Sequence, residues 1–485
     1  MVQRITRLRH LFSIACGLFA AAIAAAADNP PAKTADFAFD GLTLTVPDGF
    51  TVTRVAGPPL VDRPVSVAFD EQGRLYVADS SGSNMPLAKQ LADPQHKVVR
   101  LEDTDGDGVF DRRTVFADKL MMLQGTQWHR GSLYVAAPPK IWKLTDTDDD
   151  GVADERVEWF SAGLGGCGNE VHGPYLGRDG RLYWCKGEFQ MQTHDLPGRP
   201  GWKSNAAHIF RARLDGSQRE MVMTGGMNNP VELAFTPAGE RILSATFISN
   251  DMGGGRDGLI HALYGGVYGR EHGVLNGHER TGDLIPPLLS MGAAAPCGTQ
   301  LVSSGQGLGA DAVGNLFVCA FNLRTVFRNV LTPAEGTFTT VSTPFVTGDS
   351  ADFHPTDVHE DADGSLLVIN TGGWYKICCP TSRAYKPEVL GAIYRVRRAG
   401  AAAVKDPRGL ALAWPKLTAD ELCGLLADPR PAVAERAGDA LAQAGTPAVA
   451  NIQRFLAAAP AAPARQNALW ALAKIEGPEA RAAVR

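Results

Sequence analysis

Polar residues stand where otherwise apolar strands begin. The segments are Leu123-Gln-Gly-Thr126, Gly168-Asn-Glu-Val-His-Gly173, Asn228-Asn-Pro-Val-Glu232, Cys297-Gly-Thr-Gln300 and His354-Pro-Thr-Asp357. A neutral imidazole such as that of His172 takes a proton well, because its pKa lies near operating pH. Glu170, two residues earlier, falls on the same side of a strand by the period of two. Its carboxylate would orient the ring or raise its pKa. Asp357 offers a second carboxylate. Gln124, Asn228, Asn229 and His354 are amide and imidazole groups suited to holding a ligand, with Trp374 beside Tyr375 at the expected cleft mouth. Taken singly, each has a plain structural reading: His172 as a satisfied core histidine, Asp357 as a turn cap. The case rests on the set.

Two acidic loops point to a hard cation. One carries Asp103, Asp105, Asp107 and Asp111; the other carries Asp146, Asp148, Asp150 and Asp154. Gly108 and Gly151 fall where a calcium loop turns sharply. The glutamate that closes an EF-hand loop is replaced by Thr114 and Val157, and the flanks read as strands. The loops are either structural Ca²⁺ sites at hairpin ends or solvated Asp-Gly turns. The doubled ligand spacing favours binding.

A repeated hairpin must position these groups. It reads Gly73-Arg-Leu-Tyr-Val77, Gly131-Ser-Leu-Tyr-Val135, Gly180-Arg-Leu-Tyr-Trp184, Gly239-Glu-Arg-Ile-Leu243, Gly314-Asn-Leu-Phe-Val318 and Gly364-Ser-Leu-Leu-Val368. Most copies follow an apolar strand, as in Val65–Phe69. Strand, turn and strand at a period of about 50 residues suggest four-stranded propeller blades. The expected fold is mainly β, a six-bladed propeller over residues 42–397. After Pro407 the composition turns to Ala, Leu and Arg. Ala437, Ala440, Leu441 and Ala444 recur as Ala468, Ala471, Leu472 and Ile475, so 417–485 is expected to hold HEAT-like helices. Residues 28–41 and 398–416 are expected linkers.

The remaining features bound the function. The chain has 485 residues, 45% hydrophobic and 20% charged, with a net charge of −5. No basic excess exists for nucleic acid. Arg4, Arg7 and Arg9 precede the apolar run Leu11–Ala27, with small Ala25 and Ala27 before Asp28. Residues 1–27 therefore read as a signal peptide, and the chain as exported to the periplasm or beyond. An uncleaved anchor would be its only membrane contact. Seven cysteines follow this segment, an odd number, so at least one stays free or pairs outside the chain. Adjacent Cys378 and Cys379 form a vicinal disulfide, or leave one free thiol with the other Cys paired elsewhere, or stay as two reduced thiols.

These motifs resemble a known family. Gly168–Trp184, with His172 before a Gly-Arg-Asp-Gly-Arg-Leu-Tyr hairpin, is similar to the quinoprotein glucose/sorbosone dehydrogenase superfamily of six-bladed propellers. Asn229–Gly239 and His354–Gly364 resemble two further segments of it. A closer resemblance is to the PVC-type membrane-bound dehydrogenase domain, through the acidic loops, Thr371–Tyr375, Cys379–Ser382 and Leu390–Val396. That family often carries HEAT repeats and a c-type haem domain. The resemblance implies oxidation of a sugar or alcohol with pyrroloquinoline quinone (PQQ), His172 as base and Ca²⁺ polarising the quinone carbonyl. It implies a separate c-type cytochrome or quinone as electron acceptor. Where the superfamily has Arg, this chain has Asn228 and His354; Arg324 and Arg270 are candidate replacements. Two other readings stay open. One is a non-catalytic propeller binding carbohydrate or protein. The other is a metal-dependent lactonase or hydrolase using Glu170, Asn228 and Asp357.

Overall fold

The computed structural model describes residues 33–164, 168, 171–249, 255–373 and 386–485. The signal-peptide reading, Glu170, Trp374, Cys378 and Cys379 lie outside the described residues.

Six sheets, antiparallel apart from one parallel edge pair in the third blade, Glu220–Gly226 with Val267–Gly269, surround a central channel as the blades of a propeller. The inner strands are, in chain order, Pro64–Phe69, Thr126–His129, His172–Leu176, Asn229–Phe235, Pro296–Leu301 and Pro355–Glu360. Each of the six glycine hairpins joins the inner strand of one blade to its second strand, so each blade carries one copy. Gly73, Gly131, Gly180, Gly239, Gly314 and Gly364 all have positive φ, between 73° and 95°. Glycine enters this region without steric cost, which explains its recurrence at the turn.

The second strands are mainly apolar and do not alternate in burial; their few polar residues, Asp79, Ser132, Lys186, Asn315 and Asn370, are buried too. Leu75–Asp79, Ser132–Ala137, Leu182–Lys186, Asn315–Ala320 and Leu366–Asn370 are buried at every position. Both faces of each such strand press on a neighbouring blade. The core is accordingly split into clusters between successive blades. Trp184, Phe210 and Phe160 meet between the second and third blades, and Val77, Leu101 and Ile393 between the sixth and first.

The ring closes through an early strand. Phe50–Ala56 pairs with Ala392–Arg398 as the outermost strand of the sixth blade. A further hairpin, Thr34–Phe39 with Leu42–Pro47, extends the fifth blade. It begins inside the stretch expected as a linker. Ala35, Phe37 and Phe39 alternate along it and pack on the core between the fifth and sixth blades. Short alternation of this kind is easily taken for a loop when its partner strand is remote in sequence.

Five helices follow, Ala419–Leu425, Pro431–Ala444, Thr446–Ala457, Ala462–Lys474 and Pro478–Val484. Thr418 caps the first, with Glu421 completing a capping box. The helices dock on the face where the glycine turns emerge. Trp470 Nε1 donates to Pro237 O at 2.8 Å, Arg178 Nη2 to Asn467 Oδ1 at 3.1 Å, and Arg130 Nη2 to Asp439 O at 3.0 Å. The strand starts, with their polar residues, open on the opposite face.

Candidate functional site

Five inner strands share a device at their entry. Pro64, Pro174, Pro230, Pro296 and Pro355 lie at or near the strand start, each within or beside a register shift against the second strand. Proline lacks an N–H for the ladder, and a bulge re-aims the side chains that follow. The result is two levels of polar groups, a rim at the strand starts and a waist deeper in the channel.

At the rim, His172 Nε2 lies 2.8 Å from Asn229 Oδ1 across two blades. With Oδ1 as acceptor, Nε2 carries the ring proton and Nδ1 keeps its lone pair. His172 is buried, and burial lowers its pKa to about 4, against a weaker upward pull from Asn229. The expectation of a pKa near neutrality is therefore corrected: desolvation disfavours the imidazolium more than its hydrogen bond favours it. Gln124 reaches the Gly168 carbonyl at 3.5 Å. Asn228 bonds the side chain of Glu188, which is paired with Arg270. His354 stacks on Phe321 at 4.4 Å and donates from Nδ1 to Gly372 O at 2.5 Å.

Asp357 sits at the waist. Its Oδ2 accepts from Val67 N at 3.0 Å, and its side chain bonds Ser66. Ser66 Oγ in turn meets Thr126 Oγ1 at 2.9 Å, so three blades are tied together. Among the described residues no hydrogen bond joins Asp357 to His172. A Cβ on Gly298 would fall 2.4 Å from Asp357 Cα, so glycine is needed for the fifth and sixth blades to approach. Glu232 shares this buried environment. Burial, then the charge of Asp357, raise its pKa well above the usual carboxylate range. Burial also pushes Asp357 up, to about 7. Two neighbouring carboxylates out of water resist ionising together.

This pair predicts a pH effect. The folded Asp357 holds its proton to about pH 7, while its ordinary value is 3.8. The fold thus binds more protons than the unfolded chain between these values. Stability is full below about pH 4 and declines as pH rises through 7. Thermal melts from pH 5 to 8 should show a shallower decline for Asp357→Asn than for the native chain. Parallel slopes would place the pair's proton elsewhere.

The rim also holds two cations, Arg324, a candidate from the sequence, and Arg63, which sequence reading passed over. Arg63 immediately precedes the first inner strand and is buried; it donates to Pro387 O and, at 3.5 Å, to Ser81 O. Arg324 is exposed, with one contact of 3.4 Å to Asp349 O. Neither has a carboxylate partner among the described residues. Arg63 directly before Pro64, at a strand start, was the available signal.

The acidic loops lie at the far face, in hairpins between third and fourth strands. Asp103, Asp105 and Asp107 bring carboxylate oxygens within 4.8 Å of one another, as do Asp146, Asp148 and Asp154. Asp111 accepts from Thr104 Oγ1 at 2.7 Å, and Asp154 from Thr147 Oγ1 at 2.8 Å. Gly108 and Gly151 take φ of 88° and 95°, as the sharp turn requires. The second loop already has a cation beside it: Arg100 Nη1 is 3.4 Å from Asp146.

Residues 41–252 match a family described as "Domain of unknown function (DUF7133)". No curated protein matches the chain. The holo form of the pyranose dehydrogenase PQQ domain from Coprinopsis cinerea superposes with a TM-score of 0.50 at 12% identity, covering 76% of this chain and 98% of that one. A calcium structure of Trichoderma reesei carbohydrate-active enzymes family AA12 superposes with the same score and identity, over 73% and 97%. The chain shares the propeller fold of these two structures. No helix among the described residues is long and apolar enough to cross a membrane.

Proposed function

We propose that this propeller oxidises a sugar or alcohol at the channel rim, with His172 taking the hydroxyl proton. The observation that carries this reading is the His172–Asn229 pair, a neutral imidazole fixed across two blades at 2.8 Å. The rim supplies groups that suit a polycarboxylate quinone such as PQQ: Arg63 and Arg324 are guanidinium groups with no carboxylate partner among the described residues, and Gln124 and Asn228 stand at the strand starts of other blades. A quinone bound there supplies a hydride acceptor. Asn229 holds the ring so that Nδ1 accepts the proton, and the apolar packing around His172 keeps the imidazole unprotonated. His354, committed to Gly372, positions the rim rather than serving as a base.

The wider reading is a protein exported to the periplasm or outside the cell, passing electrons to a separate c-type cytochrome or quinone. In the acidic loops Ca²⁺ would be structural, because they lie at the end of the blades away from the rim. A chelator should therefore lower the melting temperature, since an ion bound only by the native state stabilises it by mass action. Unchanged melting together with no metal by elemental analysis would remove the loops as sites.

The reaction itself is tested by adding PQQ and Ca²⁺ to the purified protein and screening sugars and alcohols with an acceptor dye. Turnover that needs both quinone and substrate supports the reading. Hydrolysis of a lactone without the quinone, or binding without turnover, would replace it.

A further inference from the structure

We propose that the cleft between the turn face of the ring and the Pro431–Ala444 helix is a second binding site, for an uncharged saccharide. It lies at the far end of the channel from His172 and is independent of the reaction proposed above.

The cleft encloses about 800 Å³, within the range of small-ligand sites. The helix lays one face along it, Glu435, Arg436 and Gln443 included, at spacings that put them on one side. The ring supplies the facing wall, with Glu71, Trp128 and Gln300. The hydrogen-bond inventory of these six is uneven. Arg436 stacks on Trp414 at 4.3 Å and makes no hydrogen bond or ion pair among the described residues, and its Nη1 is buried without a partner. Glu435 and Gln443 are exposed, and no described residue bonds their side chains. Glu71 has one oxygen taken, by Trp128 Nε1 at 2.7 Å. Gln300 spends its amide nitrogen on Leu301 O at 2.8 Å, which leaves the amide oxygen.

Spare donors and spare acceptors thus face each other across one space. The other four carboxylates of the lining are committed: Asp70 to Arg74, Asp439 to Lys474 at 2.7 Å, Asp361 to Arg395 and Arg408 at 2.7 and 2.8 Å, and Glu360 to Ser303 N, Ser303 Oγ and Ser304 N, each at 2.7 Å. With hydrogen-bonding capacity to spare there remain the carboxylates of Glu71 and Glu435 against the one guanidinium of Arg436; the carboxylates disfavour an anion, and Arg436 disfavours a cation. A hydroxyl both donates and accepts, so a polyhydroxylated neutral ligand satisfies both kinds of group at once. Trp128 is held rigid by stacking on Tyr76 at 4.7 Å and by its bond to Glu71, offering a fixed apolar surface for sugar C–H groups.

Calorimetric titration of the whole chain with cellobiose, maltose and lactose, and with citrate as an anion, tests this. At least one disaccharide should bind with Kd on the order of 1 mM or tighter. Arg436→Ala should weaken it about tenfold or more, the loss of a hydrogen bond to a charged group. Glu435→Gln and Gln443→Ala, at exposed positions, should weaken it with the melting temperature unchanged. Asn229→Ala, at the opposite face, should leave it intact. The proposal is overturned if none of the disaccharides binds, if citrate alone binds, or if Asn229→Ala abolishes binding that Arg436→Ala preserves.

Discussion

Trp184→Ala should lower unfolding stability by about 3–5 kcal/mol, the usual cost of deleting a large buried aromatic side chain. Trp184 is wholly buried between the second and third blades. Its ring stacks on Phe210 at 5.5 Å and meets Phe160 at 4.9 Å and Trp159 at 5.5 Å. Its indole N–H is buried without a partner, so Trp184→Phe loses volume but also removes an orphan donor. The phenylalanine variant should therefore be much closer to the native chain. Denaturant midpoints of the three proteins would show it. Equal losses for Ala and Phe would mean that the indole nitrogen, not the packing, stabilises this interface.

His172→Ala should slow turnover by about 10²–10⁴-fold in the dye assay, the range a general base contributes. The acid limb of the native rate profile should lie near pH 4, where burial places the imidazole. Asn229→Ala should cost less, because the ring stays and only its orientation is loosened. If His172→Ala keeps near-native turnover, another group takes the proton. If instead the variant unfolds, the histidine is a tie between blades, and Asn229→Ala should then destabilise as well.

Much of the architecture could be read from the chain because it is local. The glycine turn needs positive φ at one position, and the strand after it is mainly apolar because both its faces are covered. Each mark lies within a few residues of its cause. The helix start at Thr418 is equally local, a capping box four residues long. The pairing of Phe50–Ala56 with Ala392–Arg398 is not local, and nothing in either strand names the other.

The site was legible in direction but not in depth. Alternation told which residues face the channel, and His172 and Asn229 do meet. It could not tell that Asp357 lies at the waist, or that Glu232 shares its buried surroundings. Nor could it give the His172 pKa, which is set by how much water the neighbouring blades exclude. Arg63 was missed for a related reason: it precedes its strand, and its partners, Pro387 and Ser81, sit in other loops.

The closing pair of strands also dictates an order of events as the chain is made. Until Ala392–Arg398 has emerged, Phe50–Ala56 has no ladder to join and the blades form an open arc. Both ends of that arc expose unpaired edges, the form most prone to pairing with other chains. The segment that forms the hairpin from Thr34 to Pro47 must likewise wait for the fifth blade. Synthesis therefore passes through a long interval in which nearly the whole barrel of blades is present and none of it is sealed. A chain exported before folding would meet that interval outside the cytoplasm, where the helices arrive only after the ring.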